Sequence, residues 1–173
     1  MDDLNFDILD DVIIAGFKGN ITDINETIEI VNKIQDNCCD GTIIQLMDAK
    51  AIAGIKHVKH GIVHAFNSFQ RGTNIAEDLG IEICLRTAAT RQISKTLNII
   101  GLKKGKMDIC AVLISCPDYF LDELSTIFSR DNSVLKEDES ILKEIYHISN
   151  KQLSIFSISN ILIGKTSALI LEI

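Results

Sequence analysis

The stretch IKHVKHGIVHAFNSFQR, residues 55–71, decides how the chain is to be folded. At about 100° per residue, Ile55, Val58, Ile62, Ala65, Phe66 and Phe69 gather on one stripe. His57, His60, His64 and Arg71 gather on the opposite side, with Lys56 and Asn67 nearby. This spacing predicts a helix over residues 52–71 whose apolar stripe faces a core and which stops at Gly72. The three histidines are then expected to point away from the core, exposed and partly cationic.

Elements alternate on both sides of this helix. Residues 12–17 and 42–47 read as short strands. Between them Thr22 or Asp23 can cap a helix in which Ile24, Ile28, Val31 and Gln35 recur at helical spacing. In residues 81–86, Ile81, Ile83 and Leu85 alternate with Glu82, Cys84 and Arg86, which predicts a half-buried strand. Thr90 is expected to cap a helix over 91–100. Residues 107–116 form the most apolar strand, closed by Pro117, the only proline. A helix over 118–128, a polar surface connection over 129–139 and a short helix over 141–148 follow. The tail, 150–173, fits helix and strand templates equally. Alternating strands and helices imply an α/β or α+β domain with helices covering a sheet.

Composition narrows the class. The 173 residues are 46% hydrophobic but only 5% aromatic, with no tryptophan, so Ile, Leu and Val must build the core. No apolar run approaches the ~18 residues of a membrane span. The acidic N-terminus, MDDLNFDILDD, lacks the pattern of a signal peptide. Five irregularly spaced cysteines, including the vicinal Cys38–Cys39, suggest a reducing cytoplasm and small neutral side chains.

The net charge of −7 conceals an asymmetry. Residues 50–106 hold ten lysines and arginines against three acids, Glu77, Asp78 and Glu82, a net +7 that leaves −14 on the rest. Such a basic middle in an acidic chain suits a polyanion on one face and another partner elsewhere. The alternative is that basic and acidic helix faces balance each other within the fold.

Several chemistries compete for the histidines. His60 and His64 have the i, i+4 spacing of two helical metal ligands, but Lys56, Lys59 and Arg71 repel a cation and no HExxH is present. A catalytic base needs a carboxylate partner, and none lies nearby in sequence. Phosphates and base edges suit histidines among lysines better, against the plainer reading of a solvated helix face. A second constellation is TAATRQI, residues 87–93. There the N–H groups of Arg91, Gln92 and Ile93 could open a helix toward an anion, with Arg91 as a forked cation. Arg91 could equally pair with Glu77, Asp78 or Glu82. Gly164-Lys165-Thr166 imitates the end of a P-loop, but Ser159 stands where its first glycine belongs and only seven residues follow Thr166.

Residues 48–116 carry a pattern: Asp-Ala, then Ala-Gly-x-x-His at 53–57, then Ala-Phe-x-x-x-x-x-Gly-x-x-Ile-Ala at 65–76. A Glu-bearing segment, Arg-Gln-Ile at 91–93, a glycine-lysine turn and a hydrophobic strand follow. This resembles the regulatory, kinase-associated subunit family of the KEOPS complex, of archaeal type. The resemblance implies a single compact domain over 1–173, with a mixed sheet of about four to five strands flanked by helices. It implies a cytoplasmic, non-enzymatic protein without cofactor or metal. Such a protein binds and stimulates the atypical KEOPS kinase/ATPase subunit during threonylcarbamoyladenosine synthesis. It also implies binding of the single-stranded 3′ CCA end of tRNA. Lys59, His60, Arg71, Arg86, Arg91 and Gln92 are the expected contacts, Lys95 and Lys104 outer electrostatics, and Gly54 with Ala53 a place of close nucleotide approach. Thr90 stands where the family commonly has glycine, which should stiffen that turn. The competing reading is a small metal- or acid-base-dependent enzyme built on His57, His60 and His64.

Overall fold

The most apolar segment of the chain becomes an inner strand. Strand β3 (Gly105–Ile114) pairs with β1 (Val12–Ile21) on one side and β2 (Ile43–Asp48) on the other, with both Val12 and Ile43 opposite Ile114. Two residues, Ser129–Arg130, form β4 on the far side of β1, giving the order β2-β3-β1-β4. The structure, a computed structural model, describes residues 9–38 and 40–169. Every strand pairing is antiparallel. The implied mixed sheet is thus a four-stranded antiparallel one within an α/β architecture. The β1–helix–β2 crossover leaves two strands pointing the same way, and β3 inserts between them antiparallel to both.

Alternation along β3 divides the core. Ile109, Ala111 and Leu113 face one cluster, with helices α1 (Ile24–Asp36) and α5 (Tyr119–Ser125). Cys110, Val112 and Ile114 face the other, with α2 (Gly54–Arg71), α3 (Leu79–Thr87) and α4 (Ile93–Ile100). A fully buried Ile or Leu such as Ile109 or Leu113 adds about 2 kcal/mol of apolar burial. Cys84 and Cys110 are buried neutral thiols, pushed up to about 12 by their apolar surroundings, and Cys38 and Cys116 are half-buried. Cys39 lies outside the described residues.

The segment 129–139, expected as a surface connection, is exposed along most of its length but sends one side chain, Leu135, into the core. A 3-10 turn at Asn132–Leu135 buries Leu135, and the Asn132 side chain accepts the Gly16 N–H at 2.9 Å. The ambiguous tail is helical in its described part. After α6 (Glu139–Ile145) come α7 (Asn150–Leu153) and α8 (Ile158–Ala168). Leu142, Tyr146, Ile158 and Leu162 form a third cluster over Ala53. Helix α8 then packs along α2. Thr166, the last residue of the imitation P-loop, is buried and donates its hydroxyl to the Arg86 carbonyl at 2.8 Å.

Residues 81–86 form a helix, not a strand. Asp78 caps it by accepting the Ile81 N–H at 2.8 Å. Every residue from Glu82 to Thr87 is buried, so the alternation that imitated a strand marks no solvent face. Helical spacing instead brings Glu82 under Arg86. Glu82 Oε1 accepts from Arg86 Nε and Nη2, both at 2.7 Å, and from Ser68 Oγ at 3.1 Å. Oε2 accepts the N–H groups of Ile75 and Ala76 at 2.9 and 2.8 Å, which fixes the loop after α2. Glu82→Gln would strand a buried guanidinium without its counter-charge and should cost about 3–5 kcal/mol in denaturant unfolding.

Candidate nucleic-acid interface

Helix α2 positions the histidines, but not as its wheel suggests. His57 is 0% exposed, whereas Ile55, assigned to the core stripe, is 43% exposed. The wheel assumed one covered side. Here α3 and α8 both pack against α2, so a second flank is closed. His57 Nδ1 accepts the Ala53 N–H at 3.1 Å and fastens the start of α2, which has no side-chain cap from Ala53. The ring proton therefore sits on Nε2. Nε2 faces the Thr87 carbonyl without reaching hydrogen-bond geometry, and Thr87 Oγ1 is likewise buried and unpaired. A Cβ on Gly61 would meet Thr87 Oγ1 at 2.2 Å, so this glycine sets how closely α2 and α3 approach.

His60 and His64 are half-buried. Their rings meet edge to face at 4.4 Å, and His60 Nε2 shares a 3.0 Å hydrogen bond with Ser167 Oγ of α8. Burial pushes the pKa of His57 down to about 4. Burial, with the charges of His60, Arg86 and Arg71, takes His64 to about 4, and burial with Lys56 lowers His60. The histidines are therefore neutral near pH 7, not partly cationic as expected. They can donate, accept and stack; the positive charge comes from lysines and arginines.

The cations divide into two groups. Lys59 and Arg71 are exposed on α2, and Arg91, Gln92 and Lys95 are exposed at the start of α4. Arg91 Nη1 donates to the Leu169 carbonyl at 3.3 Å, which brings the α4 entrance to the end of α8, beside the His60–Ser167 contact. The remaining candidates lie elsewhere. Arg86 is only 5% exposed and consumed by Glu82, which corrects its placement on an open strand. Lys104 is exposed but lies near Asp23, the cap of α1, whose carboxyl is held below its usual range by the Glu26 and Asn25 N–H groups and, to a lesser degree, by this lysine. At Gly54 the nearest atoms to an added Cβ are Glu137 Oε2 and Leu135 O, each at 4.0 Å, so the position is uncrowded but a carboxylate lies beside it. A φ of +77° explains this glycine.

The TAATRQI turn also differs from its expected form. Thr90 is buried, and its hydroxyl accepts the Gln92 N–H at 3.1 Å and pairs with Thr96 Oγ1 at 2.9 Å. The Gln92 amide is therefore not free for an anion, and α4 begins at Ile93. Helix α3 ends in a Schellman motif, with Thr90 N–H on Leu85 O at 3.0 Å and Ala89 N–H on Arg86 O at 3.2 Å. Ala89 takes the left-handed position at φ +52°. Sequence reading missed both His57 as an internal cap and the α8–α2 pairing. Only the small residues Ala51, Ala53 and Gly54 hinted that the start of α2 is enclosed. Among the described residues, no group of three or more His, Cys, Asp or Glu could hold a metal ion, and no helix is long and apolar enough to cross a membrane.

Two outcomes follow from this geometry. Ala89→Gly removes left-handed strain and should stabilise the protein by about 0.5–1 kcal/mol in thermal or denaturant unfolding. For His57, the folded pKa of about 4 lies below the ordinary 6.5, so the unfolded chain binds more protons between those values. Stability is then present above pH 6.5 and lost as the pH falls toward 4, by about 3 kcal/mol for this residue. Unfolding curves across that window should show a shallower slope for His57→Asn, which retains an acceptor for Ala53.

The family described as kinase binding protein CGI-121 matches residues 20–168. The regulatory protein Cgi121 of Methanocaldococcus jannaschii is 30% identical over 116 residues, 62% of this chain and 72% of that one. The KEOPS complex subunit Cgi121 of Pyrococcus abyssi is 31% identical over 121 residues, 69% of this chain and 66% of that one. With a match that runs from the end of β1 through the histidine helix to the end of α8, this chain belongs to the CGI-121 family of kinase-binding proteins.

Proposed function

We propose that this protein is a non-catalytic KEOPS subunit, a single regulatory domain over residues 1–173. It binds and stimulates the kinase/ATPase subunit and holds the single-stranded 3′ CCA end of tRNA during cytoplasmic threonylcarbamoyladenosine synthesis. The kinase half of the reading is supported by the family and by the relatives' names, a regulatory protein and a KEOPS complex subunit.

The RNA half is supported above all by one observation: Arg91 reaches the end of α8 beside the His60–Ser167 contact. Phosphates would be met by Lys59, Arg71 and Arg91, with Lys95 as a more distant charge. Gln92 and the neutral His60 offer hydrogen bonds and a ring face to unstacked bases. Few acids compete, since Glu82 is engaged internally by Arg86 and by the Ser68–Ala76 segment. A histidine-based enzyme finds less support, because His57 is enclosed and its Nδ1 is occupied by the Ala53 amide.

Fluorescence titration with intact and CCA-trimmed tRNA tests the RNA reading. Trimming should abolish specific binding, and affinity should fall steeply with salt. Arg91→Glu should weaken binding by about tenfold or more, roughly 1.4 kcal/mol. Equal binding of both tRNAs would refute the assignment. Co-purification with the kinase subunit, and its ATPase rate with and without this chain, tests the other half independently.

A further inference from the structure

Strand β2 is an edge of the sheet, and it lies at the base of a groove of about 440 Å³. One wall is α1, through Ile24, Ile28 and Val31; the other is Ile81 of α3 with Leu97 and Leu102 at the end of α4. Ile28 and Leu97, on opposite rims, are each 43% exposed. Asp78 is the one charged side chain among the described lining residues.

The hydrogen bonds at this edge are unusual. Ile44 donates its N–H to Gln35 Oε1 at 2.8 Å, so Ile44 points its backbone away from β3, and by alternation Leu46 does the same. Leu46 O accepts from Gln45 Nε2 at 2.9 Å. Two glutamine carboxamides, each the chemical equivalent of a peptide group, thus occupy backbone stations that a neighbouring strand would use. Gly80 makes room for one of them: a Cβ there would come within 2.5 Å of Gln45 Oε1.

We propose that this groove docks an extended peptide segment of a partner protein, which adds to the sheet beside β2 and displaces the two glutamine amides. Backbone pairing with Ile44 and Leu46 would supply affinity. Because apolar walls stand on both sides, the recognised segment is a short continuous apolar run, not an alternating one. A lysine or arginine next to that run complements Asp78, and no basic side chain among the described lining residues repels it. None of Lys59, Arg71, Arg91, Gln92 or Lys95 lines this groove, and the proposal does not depend on the RNA reading.

The test uses the full chain and an acetylated hexapeptide of four valines and isoleucines followed by two arginines. Three controls accompany it: a version with a central proline, one with glutamates for the arginines, and a CCA trinucleotide. Binding by fluorescence anisotropy should be accompanied by slowed amide exchange at Ile44 and Leu46. The proline and glutamate peptides should bind at least about tenfold more weakly. Ile28→Lys at the rim should weaken binding by about tenfold. Asp78→Asn, which keeps the helix cap, should weaken it several-fold and reduce its salt dependence. The proposal is overturned by equal binding of the proline peptide, or by protection away from β2. It is equally overturned if the hexapeptide fails to bind at millimolar concentration, if the trinucleotide takes the groove, or if self-association alone protects Ile44 and Leu46.

Discussion

The buried Glu82 carboxylate holds together parts of the molecule that hydrophobic packing would leave loose. It takes two donors from Arg86, one from Ser68 and two backbone amides from the following loop. Separately, the backbone carbonyl of Arg86 accepts the Thr166 hydroxyl, so α3 carries both the ion pair and a hydrogen bond to α8. A buried ion pair adds little net stability over a well-packed apolar substitute. Its value here lies in arrangement: its partners tie α3 to Ser68 of α2 and to the loop at Ile75–Ala76.

Much of the architecture was legible in the sequence because it rests on local signals. The apolar run at 107–116, the Asp23 cap and the Gly72 stop are written in neighbouring residues, and the structure uses all three. Residues 81–86 failed because a strand template assumes that polar alternates face water, while Glu82 and Arg86 answer each other one helical turn apart. The inward turn at 132–135 depends on an Asn132–Gly16 contact across 116 positions, which no local pattern encodes.

The candidate site shows the same division. The basic character of the middle segment could be counted, and Lys59, Arg71, Arg91, Gln92 and Lys95 all stand exposed. Which cations share a face could not be read, because Arg91 is located by the last turn of α8, 78 residues away. His57 was misplaced because a helical wheel knows two sides, whereas α2 is wrapped on more than one. The neutral state of the histidines follows from that wrapping, and it leaves the positive charge of this region to the arginines and lysines.

The hydrogen bond from Arg91 to the Leu169 carbonyl makes the carboxy-terminal turn of α8 the holder of a guanidinium that belongs to another element. Whatever grips or unwinds that turn re-aims the guanidinium, and an anion seated on the guanidinium must by the same thermodynamic cycle favour or resist the change. The two events therefore share one coupling free energy, equal in both directions. Any contact that moved the Leu169 carbonyl would therefore be felt at Arg91, and the reverse.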